Sequence, residues 1–160
     1  MKVRDAMVKT PVSCGLETNL GEAVEIMWKR NCGFLPVVDA HRRVVGIITD
    51  RDIAIAMGTR SRLPAEVAVA EAATRKVHSC KSTDDVRWAL DIMGENKVRR
   101  LVVVNEQNQL EGVLSMDDVV LCAETNPAGR TELSADDVLR TLKALYSPEL
   151  SARAAGAAVA

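Results

Sequence analysis

Hydrophobic positions along this chain change their period in a fixed order, and the order occurs twice. From Leu20 the apolar positions recur at helical spacing. Leu20, Ala23, Val24 and Met27 share one face, with Trp28 as a candidate fifth member. Asn19 and Glu22 form a capping box at the start of that helix. Two short apolar runs follow, Phe34–Val38 and Val44–Thr49, around a polar turn at Asp39–Arg43, which predicts a β-hairpin. A second helix is predicted directly from Asp50. Later in the chain, Ser82 and Asp85 open a helix whose stripe is Val86, Ala89, Leu90 and Met93. A hairpin of Leu101–Val104 and Leu110–Ser115 follows, with its turn at Asn105–Gln109, and then a helix from Met116. The strand runs are rich in Val and Leu without clean alternation, which predicts strands covered on both faces.

The recurrence is a gapless internal repeat. Residues 3–56 align with residues 69–122 at a constant offset of 66. Val3, Asp5 and Ala6 fall on Val69, Glu71 and Ala72, and Ser13-Cys14 falls on Ser79-Cys80. Each repeat opens with a short amphipathic piece (Val3 to Val8 in the first) and a brief extended stretch such as Pro11–Cys14. Two similar halves tend to pack about a pseudo-two-fold axis, and the cleft between them is a natural ligand site. The repeat places one domain at 1–60 and a second at 61–125, joined through 57–68 with Gly58 and Pro64. Asn126-Pro127-Ala128-Gly129 breaks the chain before a third segment, 126–160. There a helix is expected from Ser134 to Tyr146. Ser134 is its N-cap, Asp136 and Asp137 suit its positive end, Leu139, Leu142 and Leu145 form its apolar face, and Pro148 ends it. The Ala-rich stretch Ser151–Ala160 reads as a frayed helix or as disorder.

Composition narrows the functional classes. At 160 residues the chain is of single-domain size and can bury a core. A formal net charge of −1 leaves no broad basic field, which argues against sequence-independent nucleic-acid binding. Aromatics are limited to Trp28, Phe34, Trp88 and Tyr146, too few to stack single-stranded bases. No apolar run approaches the roughly 20 residues of a membrane span. A cytoplasmic location is the default expectation, with the four cysteines as reduced thiols.

The chemistry-bearing pattern is Gly-x-x-Thr/Ser-x-x-Asp at a strand-to-helix junction: Gly46, Thr49 and Asp52, then Gly112, Ser115 and Asp118. A carboxylate there can accept hydrogen bonds from two neighbouring hydroxyls, as a ribose diol offers. The hydroxyl and the open backbone N–H groups of the helix start suit a phosphate, and the glycine lets a ligand approach the backbone. The same pattern also serves as a plain capping box. Its occurrence twice in the same context favours a further role.

These residues resemble the CBS domain, named after cystathionine β-synthase. The resemblance rests on Leu35-Pro36-Val37-Val38-Asp39 with Gly46-Ile47-Ile48-Thr49-Asp50-Arg51-Asp52-Ile53. Its second copy is Val98-Arg99-Arg100-Leu101-Val102-Val103-Val104 with Gly112-Val113-Leu114-Ser115-Met116-Asp117-Asp118-Val119. It implies an α+β fold of two pseudo-symmetric β-α-β-β-α repeats forming one Bateman module, plus the C-terminal helix. It implies a homodimer, no catalysis, and regulatory binding of an adenosyl ligand (AMP, ADP, ATP, NAD(H) or S-adenosylmethionine, with AMP or ATP foremost) reported to a separate protein target. No cofactor is required. Carried over by residue, one cleft would use Ser115 and Asp118 for phosphate and ribose. Thr10, Val12, Cys32 and Gly33 would line its adenine, with Arg99 and Arg100 toward phosphates. The other would use Thr49 and Asp52, with Val77, His78 and Val98 around the base. Val102 departs from the usual pattern, where the first repeat has Pro36, without touching an expected ligand contact; His78 stands where the first repeat has Val12, which argues against equal occupancy of the two clefts.

Two other classes compete. The clefts could stay empty in a structural homodimer, the motifs serving only as caps. Alternatively Cys14, Cys80 and His78 could make a metal- or redox-responsive site. With only His41 and His78 as histidines, no nucleophile–base–orienter set can be assembled.

Overall fold

The computed structural model describes residues 1–123 and 133–156, with side chains described up to Ser147. The predicted Asn126–Gly129 break and the last four residues lie outside the described residues. In order, the elements are α1 (Val3–Ala6), β1 (Val8–Lys9), α2 (Leu20–Arg30), β2 (Phe34–Val38), β3 (Val44–Thr49) and α3 (Asp50–Thr59). A 3-10 turn at Pro64–Glu66 leads to α4 (Val69–Ala72), β4 (Ser79–Cys80), α5 (Val86–Asn96), β5 (Arg100–Val104), β6 (Leu110–Ser115), α6 (Met116–Cys122) and α7 (Ala135–Gly156). Both hairpins and both following helices form where the sequence pattern predicts them. Asn19 and Glu22 close the expected capping box on α2. On α5 the cap is Asp85 itself, accepting from the Arg87 N–H, while Ser82 sits in the turn before it.

The chain packs as two compact units that do not coincide with the sequence repeats. The first comprises Met1–Lys9, His78–Val103 and the chain from Gly112; the second comprises Thr10–Val77 and Val104–Glu111. The boundaries at 60 and 125 therefore mark the sequence period, not the packed units. In the first unit β1 pairs antiparallel with β6 (Val8↔Val113, Lys9↔Gly112), and β4 pairs parallel with β5 (Cys80↔Val103). In the second, Thr74 bridges Ile47 of β3 antiparallel, and Cys14 bridges Val37 of β2 in parallel. The two wirings correspond at the offset of 66, residue for residue.

The predicted two-sided burial holds for β2 and β5 only. In β3 and β6 buried and half-buried positions alternate, because one face of each meets the core and the other does not. Each unit has its own aliphatic core: Leu101, Val103, Leu114, Met93 and Val3 in the first, Leu35, Val37, Ile48, Leu20 and Val67 in the second. On α2 the core stripe is narrower than predicted. Leu20, Ala23 and Met27 are buried, but Val24 is 46% and Trp28 84% exposed.

The C-terminal helix belongs to the first unit and buries Val138, Thr141 and Leu145, while Leu139, assigned to the apolar face, is exposed. Ser134 caps it as predicted, exchanging hydrogen bonds with Asp137. The helix does not stop at Pro148 but continues to Gly156. A proline has no N–H to give the carbonyl four residues back. That carbonyl, of Ala144, receives the Lys97 ammonium at 2.6 Å instead. Among the described residues no helix is long and apolar enough to cross a membrane.

Candidate functional site: two capped helix starts

Each Gly-x-x-Thr/Ser-x-x-Asp segment ends a strand and starts a helix, so its hydroxyl residue is the N-cap and its aspartate stands at N3. Asp118 Oδ2 accepts from the Ser115 N–H at 2.9 Å and from its Oγ at 2.5 Å, and the Asp118 N–H returns to Ser115 Oγ at 3.2 Å. Asp52 repeats this with Thr49, at 2.9, 2.7 and 3.2 Å. In both boxes the cap occupies Oδ2 alone. Oδ1 of Asp52 and of Asp118 accepts no hydrogen bond from the described residues, and both side chains are half-buried. Capping and ligand binding are thus compatible at one carboxylate: one oxygen holds the helix, and the other keeps its lone pairs for a diol.

The hydroxyls do less than the pattern suggested. Each donates its single proton to the aspartate, so it has none for a phosphate. The motif glycines also have a different role. A Cβ on Gly112 would stand 2.9 Å from the Val8 carbonyl oxygen and 2.7 Å from Met7 Sδ; one on Gly46 would stand 3.1 Å from the Thr74 carbonyl oxygen. It is the chain's own extended segment, not a ligand, that approaches these glycines.

The two helix starts differ in the N–H groups they leave open. On α3 the Asp50 N–H reaches the Gly33 carbonyl at 3.2 Å, and Asp50 Oδ1 takes the Arg51 N–H at 2.7 Å. On α6 the Met116 N–H reaches the Arg99 carbonyl at 2.9 Å. With Met116 in place of Asp50, no described side chain takes the Asp117 N–H. Beside it lies a cavity of about 70 Å³ lined by Arg99, Arg100, Ser115, Met116 and Asp117. At about 30 Å³ per water it has room for two waters, not for a nucleoside. The exposed Arg99 guanidinium has no carboxylate partner among the described residues, while Asp117 brings a negative charge to the same rim.

Of the expected site residues, Ser115, Asp118, Arg99, Arg100, Val98 and His78 belong to the first unit, and Thr10, Val12, Cys32, Gly33, Thr49, Asp52 and Val77 to the second. Thr10 is held at φ 49°, a left-handed conformation that a β-branched residue adopts only at a cost of about 1–3 kcal/mol. Val12, Cys32 and Val98 pack against the cores of their units. Cys32 and Gly33 line a groove between α2 and α3, apart from the Thr49–Asp52 cap. Sequence reasoning missed the other wall of the Asp52 site. Asp52 lines a cavity of about 170 Å³ with Ile55, Thr59, Arg60 and Glu71. Glu71 there holds both Arg60 (3.0 Å) and Arg62 (2.8 Å). The only available signal was that Glu71 repeats Asp5 at the offset of 66.

For the metal or redox alternative, no group of three His, Cys, Asp or Glu suited to an ion exists among the described residues. Burial pushes the Cys14 thiol up to about 11 and the Cys80 thiol up to about 12, so neither is a thiolate near neutrality. They lie in different units, Cys14 in the second and Cys80 in the first.

Comparison with known proteins agrees with this architecture. The CBS domain pattern matches residues 3–59 and 69–123. The inosine-5′-monophosphate dehydrogenase of Methanocaldococcus jannaschii is 31% identical over 120 residues, 74% of this chain but only 23% of that enzyme. The uncharacterised Bacillus subtilis protein YlbB is 31% identical over 134 residues, 83% of this chain and 89% of its own. Among solved structures, the CBS domain pair of protein MJ0100, in complex with 5′-methylthioadenosine and S-adenosyl-L-methionine, superposes with a TM-score of 0.69. It is 27% identical and covers 76% of this chain and 98% of that one. Hypoxic Response Protein I, solved with two coordinated zinc ions, gives a TM-score of 0.70 at 26% identity, covering 78% of this chain and 100% of that one. The chain belongs to the CBS domain family, and its two matched segments form a tandem pair, a Bateman module, followed by a C-terminal helix.

Proposed function

We propose that this chain is a non-catalytic regulatory module that binds an adenosyl ligand and reports its presence to a separate protein, acting as a homodimer in the cytoplasm. The observation that carries the reading is the open Oδ1 of Asp52 and of Asp118, each fixed in place by a cap that uses only the other oxygen. Such a carboxylate is prepared to accept from vicinal ribose hydroxyls without losing its helix. The open Asp117 N–H and the Arg99 guanidinium favour an anionic group at the Ser115–Asp118 end, which ranks AMP and ATP first. The adenosyl compounds bound by MJ0100 support the ligand class. Thr10, strained before any ligand is present, is the remaining contact we assign.

A thermal-shift panel of AMP, ADP, ATP, NAD(H) and S-adenosylmethionine tests this on wild type, Asp118→Asn and Asp52→Asn. A ligand that binds only the native state raises its melting temperature. A rise with one ligand, diminished in either variant, is the expected result. Unchanged melting with every compound would leave the motifs as caps only.

A further inference from the structure

The cavity beside Asp52 has two chemically different ends. Asp52, Ile55, Ala56, Thr59 and the C-cap Arg60 recur at helical spacing, so they share one face of α3. With Glu71 and Ala72 they line the space of about 170 Å³. At one end is Oδ1 of Asp52, an acceptor left open by the cap. At the other is Arg60, tied to the same Glu71 carboxylate as Arg62; guanidinium groups only donate. The helical rise from Asp52 to Arg60 sets the two ends about 12 Å apart at the backbone.

The donor end carries more positive charge than its partner balances. Arg60 Nη1 and Arg62 Nη1 both donate to one oxygen, Glu71 Oε2, at 3.0 and 2.8 Å. Arg60 Nη2 also reaches the Glu71 carbonyl at 2.9 Å, and Arg62 Nη2 the Glu66 carbonyl. Two cations thus meet one carboxylate. The cap that Glu71 makes does not need them. In that cap Glu71 Oε1 accepts from the Ala68 N–H at 3.1 Å. Asp5, which Glu71 repeats at the offset of 66, makes the equivalent cap on the Lys2 N–H at 2.9 Å. The same offset takes Arg60 and Arg62 to Asn126 and Ala128, so the arginine pair is no part of the repeated framework.

A group that takes over from Glu71 Oε2 has to satisfy two forks of donors at once. That requires an anion with several acceptor oxygens, which a phosphate is. The cavity has the volume of about five waters, room for a phosphate or pyrophosphate and not for a whole nucleotide. Asp52 repels such a group and accepts from hydroxyls. The two ends therefore orient a phosphorylated ribose, its diol toward Asp52 and its phosphate toward the arginines.

We infer that Arg60 and Arg62 form an anion subsite of the Asp52 site, held by Glu71 until a ligand phosphate replaces it. The inference rests on the reading of Asp52 as a ribose acceptor for the ligand's other end, and not for the phosphate itself. The experiment is isothermal titration calorimetry of pyrophosphate, adenosine and ADP into the full chain carrying Arg99→Gln and Asp118→Asn, which silence the Ser115–Asp118 end. To this reference are added Arg60→Gln with Arg62→Gln, or Glu71→Gln alone. The paired arginine variant should weaken pyrophosphate and ADP by about 10- to 100-fold and leave adenosine unchanged. Glu71→Gln keeps an oxygen for the Ala68 N–H and removes the competing charge, so it should tighten pyrophosphate and ADP by about three- to tenfold. If the arginines only clamped the 60–66 connection, Glu71→Gln would loosen it and tighten nothing, so the sign of this change separates the two roles even if the paired variant misfolds. Pyrophosphate that binds the paired variant as well as the reference, or that fails to bind Glu71→Gln at millimolar concentration, would overturn the subsite. Adenosine binding without the pyrophosphate pattern would leave the ligand reading standing and the subsite refuted; the pyrophosphate pattern without adenosine binding would do the reverse.

Discussion

Replacing Asp118 by asparagine separates the two roles that its carboxylate combines. Oδ2 holds the cap by accepting from the Ser115 N–H and Oγ. An asparagine carbonyl oxygen can accept the same two bonds, so the cap persists. The amide nitrogen then replaces Oδ1 and presents donors where ribose hydroxyls need an acceptor. Each hydrogen bond to a charged group contributes about 1.5–3 kcal/mol. The amide can still donate to a hydroxyl oxygen, recovering part of the two bonds lost. The net loss should be about 2–4 kcal/mol, or roughly 30- to 1,000-fold in affinity. Stability should change far less. The variant loses a negative charge at a helix N-terminus, about 0.3–1 kcal/mol, which lowers Tm by roughly 1–4 °C. Ser115→Ala should behave in the opposite sense. Its hydroxyl proton is committed to Asp118, so its removal costs about 1 kcal/mol of capping and little binding. Isothermal titration calorimetry with the ligand that gives the largest thermal shift measures both variants. Asp118→Asn binding within about threefold of wild type would refute the argument. So would Ser115→Ala losing more affinity than Asp118→Asn.

The remaining predictions concern the scaffold. Gly112→Ala should destabilise by about 1–3 kcal/mol, because its Cβ meets the Val8 carbonyl, and Gly46→Ala should cost less; chemical denaturation would rank them. Asp137 is held below the usual carboxylate range by its hydrogen bonds from Ser134 and by Arg87. Its stabilisation is full above the unfolded carboxylate value and is lost as pH falls through the lower folded value. The protection factors of α7 amides, taken relative to the intrinsic exchange rate at each pH, should therefore fall in acid, with the acid dependence reduced in Asp137→Asn. For Cys14 and Cys80 the sign reverses: burial raises both thiols, so their contribution is complete below about 9 and disappears as pH climbs through about 11 to 12. At pH 8 a thiol reagent should label the half-exposed Cys32 and Cys122 in the native protein and reach Cys14 and Cys80 only on unfolding.

Much of this architecture is legible in the sequence because it is local. Polar turns bracketed by Val-rich runs define the hairpins, and Thr49-x-x-Asp52 and Ser115-x-x-Asp118 mark helix starts wherever they occur. What is not legible is the choice of partner. Residues 1–9 pack with the second repeat's hairpin, while 69–77 pack with the first's. An offset of 66 looks the same under either arrangement, so periodicity cannot distinguish them. The stripe of α2 misleads for the same reason. Val24 and Trp28 lie at helical spacing beside Leu20 and Met27, and only the absence of a covering element among the described residues leaves them exposed.

The site is informative where the two repeats disagree. Agreement between them at Gly46 and Gly112, or at Thr49 and Ser115, turned out to report the fold: glycines that admit the chain's own backbone and hydroxyls that close a cap. The differences report what each unit does with that fold. Asp50 closes the Arg51 N–H on one helix start, and Met116 leaves the Asp117 N–H open on the other. Gly33 becomes Arg99, which puts a cation at the open end. Trp28 becomes Gly94, beside which Ala144 of α7 packs. A repeat duplicated without such substitutions would have two equal helix starts. In this chain the Asp117 N–H stays open at one start beside Arg99, while at the other Asp50 closes the corresponding N–H and Gly33 brings no charge.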